Sequence, residues 1–180
     1  MHVHYNVTGE DFFAFRWYTL YSSRYYQFFR LVIAIIGATL SYFFAFRIFS
    51  NSWYSFLPGI PFGVLVFIFF PNIHKAVLKK SILKYYHKGD TTTLFGMKTM
   101  ELNTEGVTEN SNYNHYSVRW KDVERIVETS SHFFIYLLSK NAFILPKKAL
   151  GRNKQIIEFR SKLKEFGLND LIIEEDVQEY

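Results

Sequence analysis

The apolar residues fall into two long runs near the N-terminus, followed by short alternating segments. Leu31 to Phe46 contains no charged residue, and Ile48 to His74 contains no aspartate, glutamate, lysine or arginine. A helix from Leu31 to Phe49 would be about 28 Å long, close to the roughly 30 Å of a bilayer hydrocarbon core. The second run predicts a span from about Pro58 to Ala76. Together they predict a transmembrane helical hairpin over residues 31–76.

The turn of this hairpin is predicted at Asn51 to Ser55, with Trp53 and Tyr54 at the level of a membrane interface. Pro71 falls inside the second span and should leave the Phe67 carbonyl without its helical donor, so a kink is expected there. The alternative is a pair of buried helices in a soluble protein, which fits the length of the two runs less well.

Basic residues flank both ends of the predicted hairpin, and these two ends lie on the same side of the membrane. They are Arg16, Arg24 and Arg30 before the first span, and Lys75, Lys79, Lys80, Lys84 and Lys88 after the second. The connecting loop carries only Arg47, which either snorkels to the interface or marks an ion path. Because short cytoplasmic flanks are rich in lysine and arginine, we expect a multi-pass membrane protein with both termini in the cytoplasm.

Residues 77–90 are predicted to form a basic amphipathic linker helix with an apolar stripe at Leu78, Ile82 and Tyr85. Its lysines, which are Lys79, Lys80, Lys84 and Lys88, are candidates for binding anionic headgroups of the bilayer. The alternative is a positively charged anchor without lipid selectivity.

Small residues on the first span permit close approach of another helix. Gly37 and Ser41 are four positions apart and form such a small-residue face. The helix that packs on this face is either the second span or a span of a second protomer. In the second case the protein would be a homo-oligomer.

The first 30 residues are predicted as a strand and an interfacial helix. Val3, Tyr5 and Val7 alternate with polar residues, as in a strand with one buried face. Thr8 and Asp11 have the spacing of a capping box, so a helix should begin near Gly9.

Residues 91–167 have the alternating pattern of a small β-domain, and we expect the chain from Thr91 onward to fold alone. The predicted strands are Phe95–Leu102, Val107–Ser111, Tyr116–Trp120, Glu124–Thr129, Phe133–Leu138 and Ala142–Pro146. A helix from Lys154 to Phe166 follows, and residues 168–180 are predicted as an acidic tail. The predicted fold class is a membrane α-helical hairpin plus an α+β domain. That domain has the layout of a pleckstrin-homology-like small antiparallel β-barrel or sandwich with a C-terminal helix.

Four segments carry a resemblance to a known family. They are Tyr5–Phe12, Trp120–Val123 with Val127 and Glu128, Phe134–Leu137, and Ala142–Leu150. In their order and spacing the chain resembles the YcxB-like proteins of bacteria. The resemblance implies two membrane helices, a pleckstrin-homology-like C-terminal domain and a place in the bacterial inner membrane, and it implies no reaction.

Residues that could carry catalysis or hold a metal are sparse. The chain has no cysteine, which excludes disulfides and thiolate chemistry. His2 and His4 share a strand face without a nearby carboxylate, and Ser130 and Ser131 before His132 are interpreted as a turn. We therefore expect no catalytic residue, metal or cofactor. The net charge of +5 lies mainly beside an apolar segment, which favours a membrane over nucleic acid.

The β-domain offers a few further candidate binding residues. Lys147 and Lys148 after Pro146 could bind phosphate or an acidic partner, or could be a solvated corner. Trp120 is either a binding residue or part of the core.

These observations favour a non-enzymatic, membrane-tethered interaction module at the cytoplasmic face, binding an unidentified protein or a headgroup. Self-protection against a bacteriocin or toxin is one concrete version, by architecture alone. The alternative is a subunit of a channel or transporter, motivated by Arg47, Pro71 and the small-residue face.

Overall fold

The computed structural model describes residues 1–48, 54, 57–88, 94–139, 141–151 and 153–174. The chain forms two compact units. The helical unit is Arg16–Ser81, and the β-rich unit combines Met1–Phe15 with Ile82–Tyr180. Helix α1 (Gly9–Tyr21) contributes residues to both units.

Two long helices dominate the helical unit. Helix α2 is Arg24–Ile48 and helix α3 is Gly59–Lys88. Helix α2 therefore begins seven residues before the predicted span. Helix α3 continues through Pro71 to Lys88, so the predicted linker over residues 77–90 is, as far as Lys88, the end of α3 rather than a separate helix. Trp53 and most of the predicted turn lie outside the described residues.

Small residues bring α2 and α3 together. A Cβ atom added to Gly37 would lie 3.2 Å from Cγ2 of Val66, and one added to Gly63 would lie 3.0 Å from the Cβ of Ala38. Ser41 donates a long hydrogen bond of 3.5 Å to the backbone carbonyl just before α3. The predicted small-residue face is therefore occupied by the second helix of the same chain.

The outward faces of α2 and α3 carry large apolar side chains. Exposed examples are Ile35, Leu40, Phe43, Phe44, Ile60, Leu65, Ile68 and Phe69. Both helices are long and apolar enough to cross a membrane. In each helix, only 11% of an apolar stretch of 18 residues is buried. Core helices of a soluble protein bury their apolar residues instead. The two helices thus have the composition and exposure of membrane spans.

Two four-stranded sheets make up the β-rich unit. The first has the order β1-β2-β3-β4 and the second β7-β6-β5-β8. The strands are β1 (His2–Val7), β2 (Gly96–Leu102), β3 (Gly106–Ser111), β4 (His115–Arg119), β5 (Val123–Glu128), β6 (His132–Leu137), β7 (Ala142–Pro146) and β8 (Ile172–Glu174). The six strands predicted after Thr91 are confirmed to within one residue at each end.

Two strands alter the predicted arrangement. Strand β1 pairs antiparallel with β2, placing Val7 opposite Gly96, so the strand next to β2 comes from the N-terminus. Strand β8 lies in the segment predicted as an acidic tail and pairs parallel with β5, with Ile126 opposite Ile172. The second sheet is therefore mixed. Over the described residues the two sheets do not close into a barrel, so the α+β class is confirmed in its coarser form.

One apolar core fills the β-rich unit. Val3, Tyr5 and Val7 on β1 supply it from the N-terminus, and helix α4 (Asn153–Glu165) supplies Phe159 and Leu163 from the other end of the chain. The alternation of buried and exposed residues along β1 explains its one-sided packing. Because this core draws on β1, the expectation that residues from Thr91 onward fold alone needs revision.

Candidate functional site

A buried carboxylate at the start of α1 connects several segments of the β-rich unit. Asp11 is 2% exposed, and its partners are Thr8, His132 and Lys148. These residues, together with Ser131, which hydrogen-bonds to His132, form the Asp11 cluster.

The capping box predicted from Thr8 and Asp11 fixes this carboxylate. The backbone N–H of Thr8 donates to Oδ2 of Asp11 over 2.8 Å, and the backbone N–H of Asp11 donates to Oγ1 of Thr8 over 3.3 Å. This reciprocal pair satisfies amide groups at the helix start. The prediction that α1 begins near Gly9 is confirmed.

The other carboxylate oxygen of Asp11 receives two nitrogen donors. Nζ of Lys148 lies 2.7 Å and Nε2 of His132 lies 3.1 Å from Oδ1. Burial alone would raise the pKa of Asp11, but the hydrogen bonds from His132, Lys148 and Thr8 outweigh it and hold the pKa well below its ordinary value. Asp11 is therefore an ionised acceptor at neutral pH.

Ser131, His132 and Asp11 have the residue types of a nucleophilic triad. Oγ of Ser131 lies 2.6 Å from Nδ1 of His132. Ser131 and His132 are consecutive residues of a tight turn. In this turn the backbone N–H of Thr129 donates to the His132 carbonyl over 2.9 Å. Lys148 also shares the carboxylate that would orient the imidazole. The turn predicted here is confirmed, and the cluster ties α1 to β6.

A second buried carboxylate, Glu128, lies at the end of β5. Arg160 holds it with two hydrogen bonds of 3.0 and 2.7 Å, and Nζ of Lys147 lies 2.8 Å away. Burial would raise the pKa of Glu128, but the hydrogen bonds from Arg160 and Lys147 lower it. These three residues, the Glu128 cluster, join α4 to the second sheet.

A third carboxylate, Glu109 on β3, is buried on the inner face of the first sheet. The Tyr5 hydroxyl donates to it over 2.5 Å, and Nζ of Lys98 lies 2.8 Å away. Burial, together with the negative charge of Glu109, raises the pKa of Tyr5 well above its ordinary value. The phenol therefore stays protonated and acts as a donor.

The structure gives the predicted phosphate-binding lysines internal partners. Lys147 binds Glu128 with a side chain that is 16% exposed, and Lys148 binds Asp11 with a side chain that is 63% exposed. An external anion would have to compete with a buried carboxylate at either position. Sequence reasoning missed the pair of Lys148 and Asp11 because the two residues are 137 positions apart in the chain.

Trp120 and Pro146 are not accessible binding residues. Trp120 is 8% exposed, its indole stacks on Phe166 at 5.5 Å, and its Nε1–H donates to the Asn103 carbonyl over 2.9 Å. Pro146 is fully buried. The core interpretation of Trp120 is the one that the structure supports.

The candidate headgroup-binding lysines lie on the last turns of α3. Lys80 and Lys84 are exposed and Lys79 is half-buried, while the Lys88 side chain lies outside the described part. The predicted apolar stripe is interrupted, since Ile82 is 9% exposed but Tyr85 is 58% exposed.

Sequence reasoning also missed the surroundings of Arg30, a buried residue of α2. Its guanidinium group donates to the backbone carbonyl of Phe67 on α3 over 3.2 Å. The signal was present, because Pro71 was expected to free that carbonyl. In the described part of the chain, no group of three or more histidine, cysteine, aspartate or glutamate residues could hold a metal ion.

Comparison with known proteins supports the resemblance predicted from the sequence. A family model described as YcxB-like protein matches residues 102–163. The matched segment is about a third of the chain and runs from the end of β2 into α4. Over this segment the chain is similar to the YcxB-like proteins, which confirms the predicted resemblance for residues 102–163. No curated protein and no solved structure matches the chain.

Proposed function

We propose that this chain is a membrane-embedded, non-enzymatic interaction protein of the bacterial cell membrane. Its β-rich unit is a pleckstrin-homology-like module that binds a protein partner at the cytoplasmic face. The observation that carries the proposal is the exposure of large apolar side chains along α2 and α3, which only an apolar surrounding such as lipid would cover.

The charge pattern supports a cytoplasmic position for the β-rich unit. Helix α3 continues from its apolar part into the lysine-rich segment that contains Lys79, Lys80 and Lys84. Lysines next to a span favour the cytoplasmic side. The same side would then hold β1 and α1, which precede the first span.

The surroundings of the buried carboxylates support a structural role for Asp11 and Glu128 themselves. Asp11 and Glu128 have lowered pKa values because cations and hydrogen-bond donors hold them. A general acid or base at neutral pH needs a pKa near the working pH instead. We therefore assign both clusters to the stability of the fold.

The open edge of the first sheet is the surface that we assign to the partner. In the described part of the chain, β4 has β3 as its one neighbour. Tyr113 in the turn before it and Tyr116 on it are 64% and 54% exposed. An edge strand offers unpaired backbone groups, and exposed tyrosines supply contact area for an added strand.

Membrane extraction tests the first half of the proposal. The full chain should stay in the membrane pellet after an alkaline carbonate wash and should be released only by detergent. Release by carbonate alone would contradict an embedded hairpin.

Photocrosslinking in cells tests the second half. A benzophenone amino acid at Tyr116 should give a discrete protein adduct, and the same residue at Ile157 on α4, which is 60% exposed, serves as the matched control. Equal adducts at both positions, or none at Tyr116, would contradict binding at the β4 edge.

The described residues add no observation in favour of toxin self-protection or a channel subunit, so neither is proposed.

A further inference from the structure

Arg30 is a buried cation whose partners in the described part of the chain are all uncharged. The residue is 9% exposed. Nη1 donates to the Gln27 side chain over 2.9 Å, and Nη2 donates to the Phe67 carbonyl over 3.2 Å. Among the described residues, none supplies an acceptor to its buried Nε–H group. Two aromatic rings, those of Phe67 and Tyr21, lie 4.4 and 5.8 Å from the guanidinium carbon.

The backbone contact accounts for the position of Arg30 but not for its charge. Pro71 has no N–H group, so the Phe67 carbonyl four residues earlier has no helical donor. Arg30 supplies that donor. A neutral amide could do the same, whereas a buried cation also needs a counter-charge.

The chain cannot supply this counter-charge locally. From Phe12 to Gly89 the sequence contains no aspartate or glutamate. The helical unit, Arg16–Ser81, lies wholly inside this acid-free stretch. An anion near Arg30 must therefore come from outside the helical unit.

The residues around Arg30 are those found at the level of lipid headgroups. Trp17 packs against Tyr21 and Tyr26 with ring centroids 5.6 and 6.1 Å apart. Nζ of Lys75 lies 5.8 Å from the Trp17 ring. Tryptophan and tyrosine concentrate at membrane interfaces, and arginine and lysine side chains there extend toward headgroups.

We propose that Arg30 and Lys75, framed by Trp17, Tyr21 and Tyr26, bind the phosphate of one anionic phospholipid. An anionic headgroup supplies the missing negative charge, whereas the ammonium group of a zwitterionic headgroup would meet the two cations. This site is distinct from the lysines at the end of α3. The inference rests on the proposed membrane location.

Fluorescence of Trp17 in vesicles tests the proposal. The full chain carrying Trp53→Phe is reconstituted in brominated phosphatidylglycerol, in brominated phosphatidylcholine and in mixtures of the two. Bromine quenches a tryptophan that contacts the lipid. The same chain with Trp17→Phe added reports the signal of the buried Trp120, which is subtracted. The mixtures then give the relative affinity of the Trp17 environment for the two lipids.

We expect about a thirtyfold preference for phosphatidylglycerol, the factor that corresponds to two near-surface cations at about 1 kcal/mol each. Arg30→Gln and Lys75→Gln should each reduce the preference to about fivefold, because each removes one of the two cations. Arg24→Gln is the matched control, because Arg24 lies on the same helix, is exposed and loses the same charge. It should leave the preference nearly unchanged.

The other possible outcomes contradict either the membrane location or the headgroup site. No quenching of Trp17 by either lipid would contradict the proposed membrane location. Equal quenching by both lipids in the parent chain would overturn the headgroup site alone, and so would equal losses from Arg24→Gln and Arg30→Gln. If Arg30→Gln disturbs the helices, the parent measurement and Lys75→Gln still decide.

Discussion

Removal of β1 should abolish stable folding of the β-rich unit. Strand β1 places Val3, Tyr5 and Val7 in the core, where they are 5%, 3% and 1% exposed. Burial of one such side chain contributes about 1.5–3 kcal/mol, so the three together contribute roughly 5–9 kcal/mol. The total stability of a small domain is about 5–15 kcal/mol. The loss is therefore comparable to the whole free energy of unfolding.

Two soluble fragments isolate this effect. The first spans Thr91 to Tyr180. The second joins Met1–Thr8 directly to Leu94 through a short glycine-containing turn, which the pairing of Val7 with Gly96 permits because the two ends are adjacent. Both fragments lack α1 and the spans, so they differ essentially in β1.

Urea unfolding followed by Trp120 fluorescence measures the difference. Trp120 is the one tryptophan in both fragments, and its ring is buried against Phe166. The fragment with β1 should unfold cooperatively, and the fragment without it should show no folded baseline. A joined fragment with serine at Val3, Tyr5 and Val7 should behave like the fragment without β1. Equal unfolding midpoints with and without the strand would refute the reasoning.

Three further predictions follow from the packing and the charges. Gly106→Ala should destabilise the β-rich unit by about 1–3 kcal/mol in urea titrations, because the added Cβ would lie 2.1 Å from a backbone oxygen of β4. Gly63→Leu should separate α2 from α3, seen as a loss of crosslinking between cysteines placed on the two helices. The pKa values of Asp11 and Glu128 are lowered in the folded protein. The stability that these two ionised carboxylates give to the fold is therefore fully present above about pH 4, and it is lost as the pH falls through the lowered values. Asp11→Asn combined with Glu128→Gln should therefore flatten the acid limb of the stability curve, and an unchanged limb would contradict this.

Local patterns predicted the elements well. The charge-free runs located α2 and α3, and alternation located the strands because each has one buried face. The spacing of Thr8 and Asp11 predicted the start of α1, and the hydrogen bonds confirm it. Each signal lies within a few consecutive residues.

Long-range pairings could not be predicted in the same way. Strand β1 meets β2 across the whole hairpin, and Asp11 meets His132 over 121 residues. Nothing local to Lys148 indicates a buried carboxylate partner. Strand β8 was missed because three residues beside acidic side chains look like a solvated tail. For Arg30 the prediction was half complete. The sequence predicted that the Phe67 carbonyl lacks its helical donor, but it did not indicate that Arg30 donates to it.

Cysteine labelling tests the central claim most directly, because the chain has no cysteine of its own. Single cysteines replace Ser52 in the predicted loop between the spans and Ser139, which is exposed after β6. A membrane-impermeant maleimide should label the Ser52→Cys variant in intact cells and the Ser139→Cys variant only after permeabilisation. Labelling of Ser139→Cys in intact cells, with Ser52→Cys protected, would contradict a β-rich unit at the cytoplasmic face.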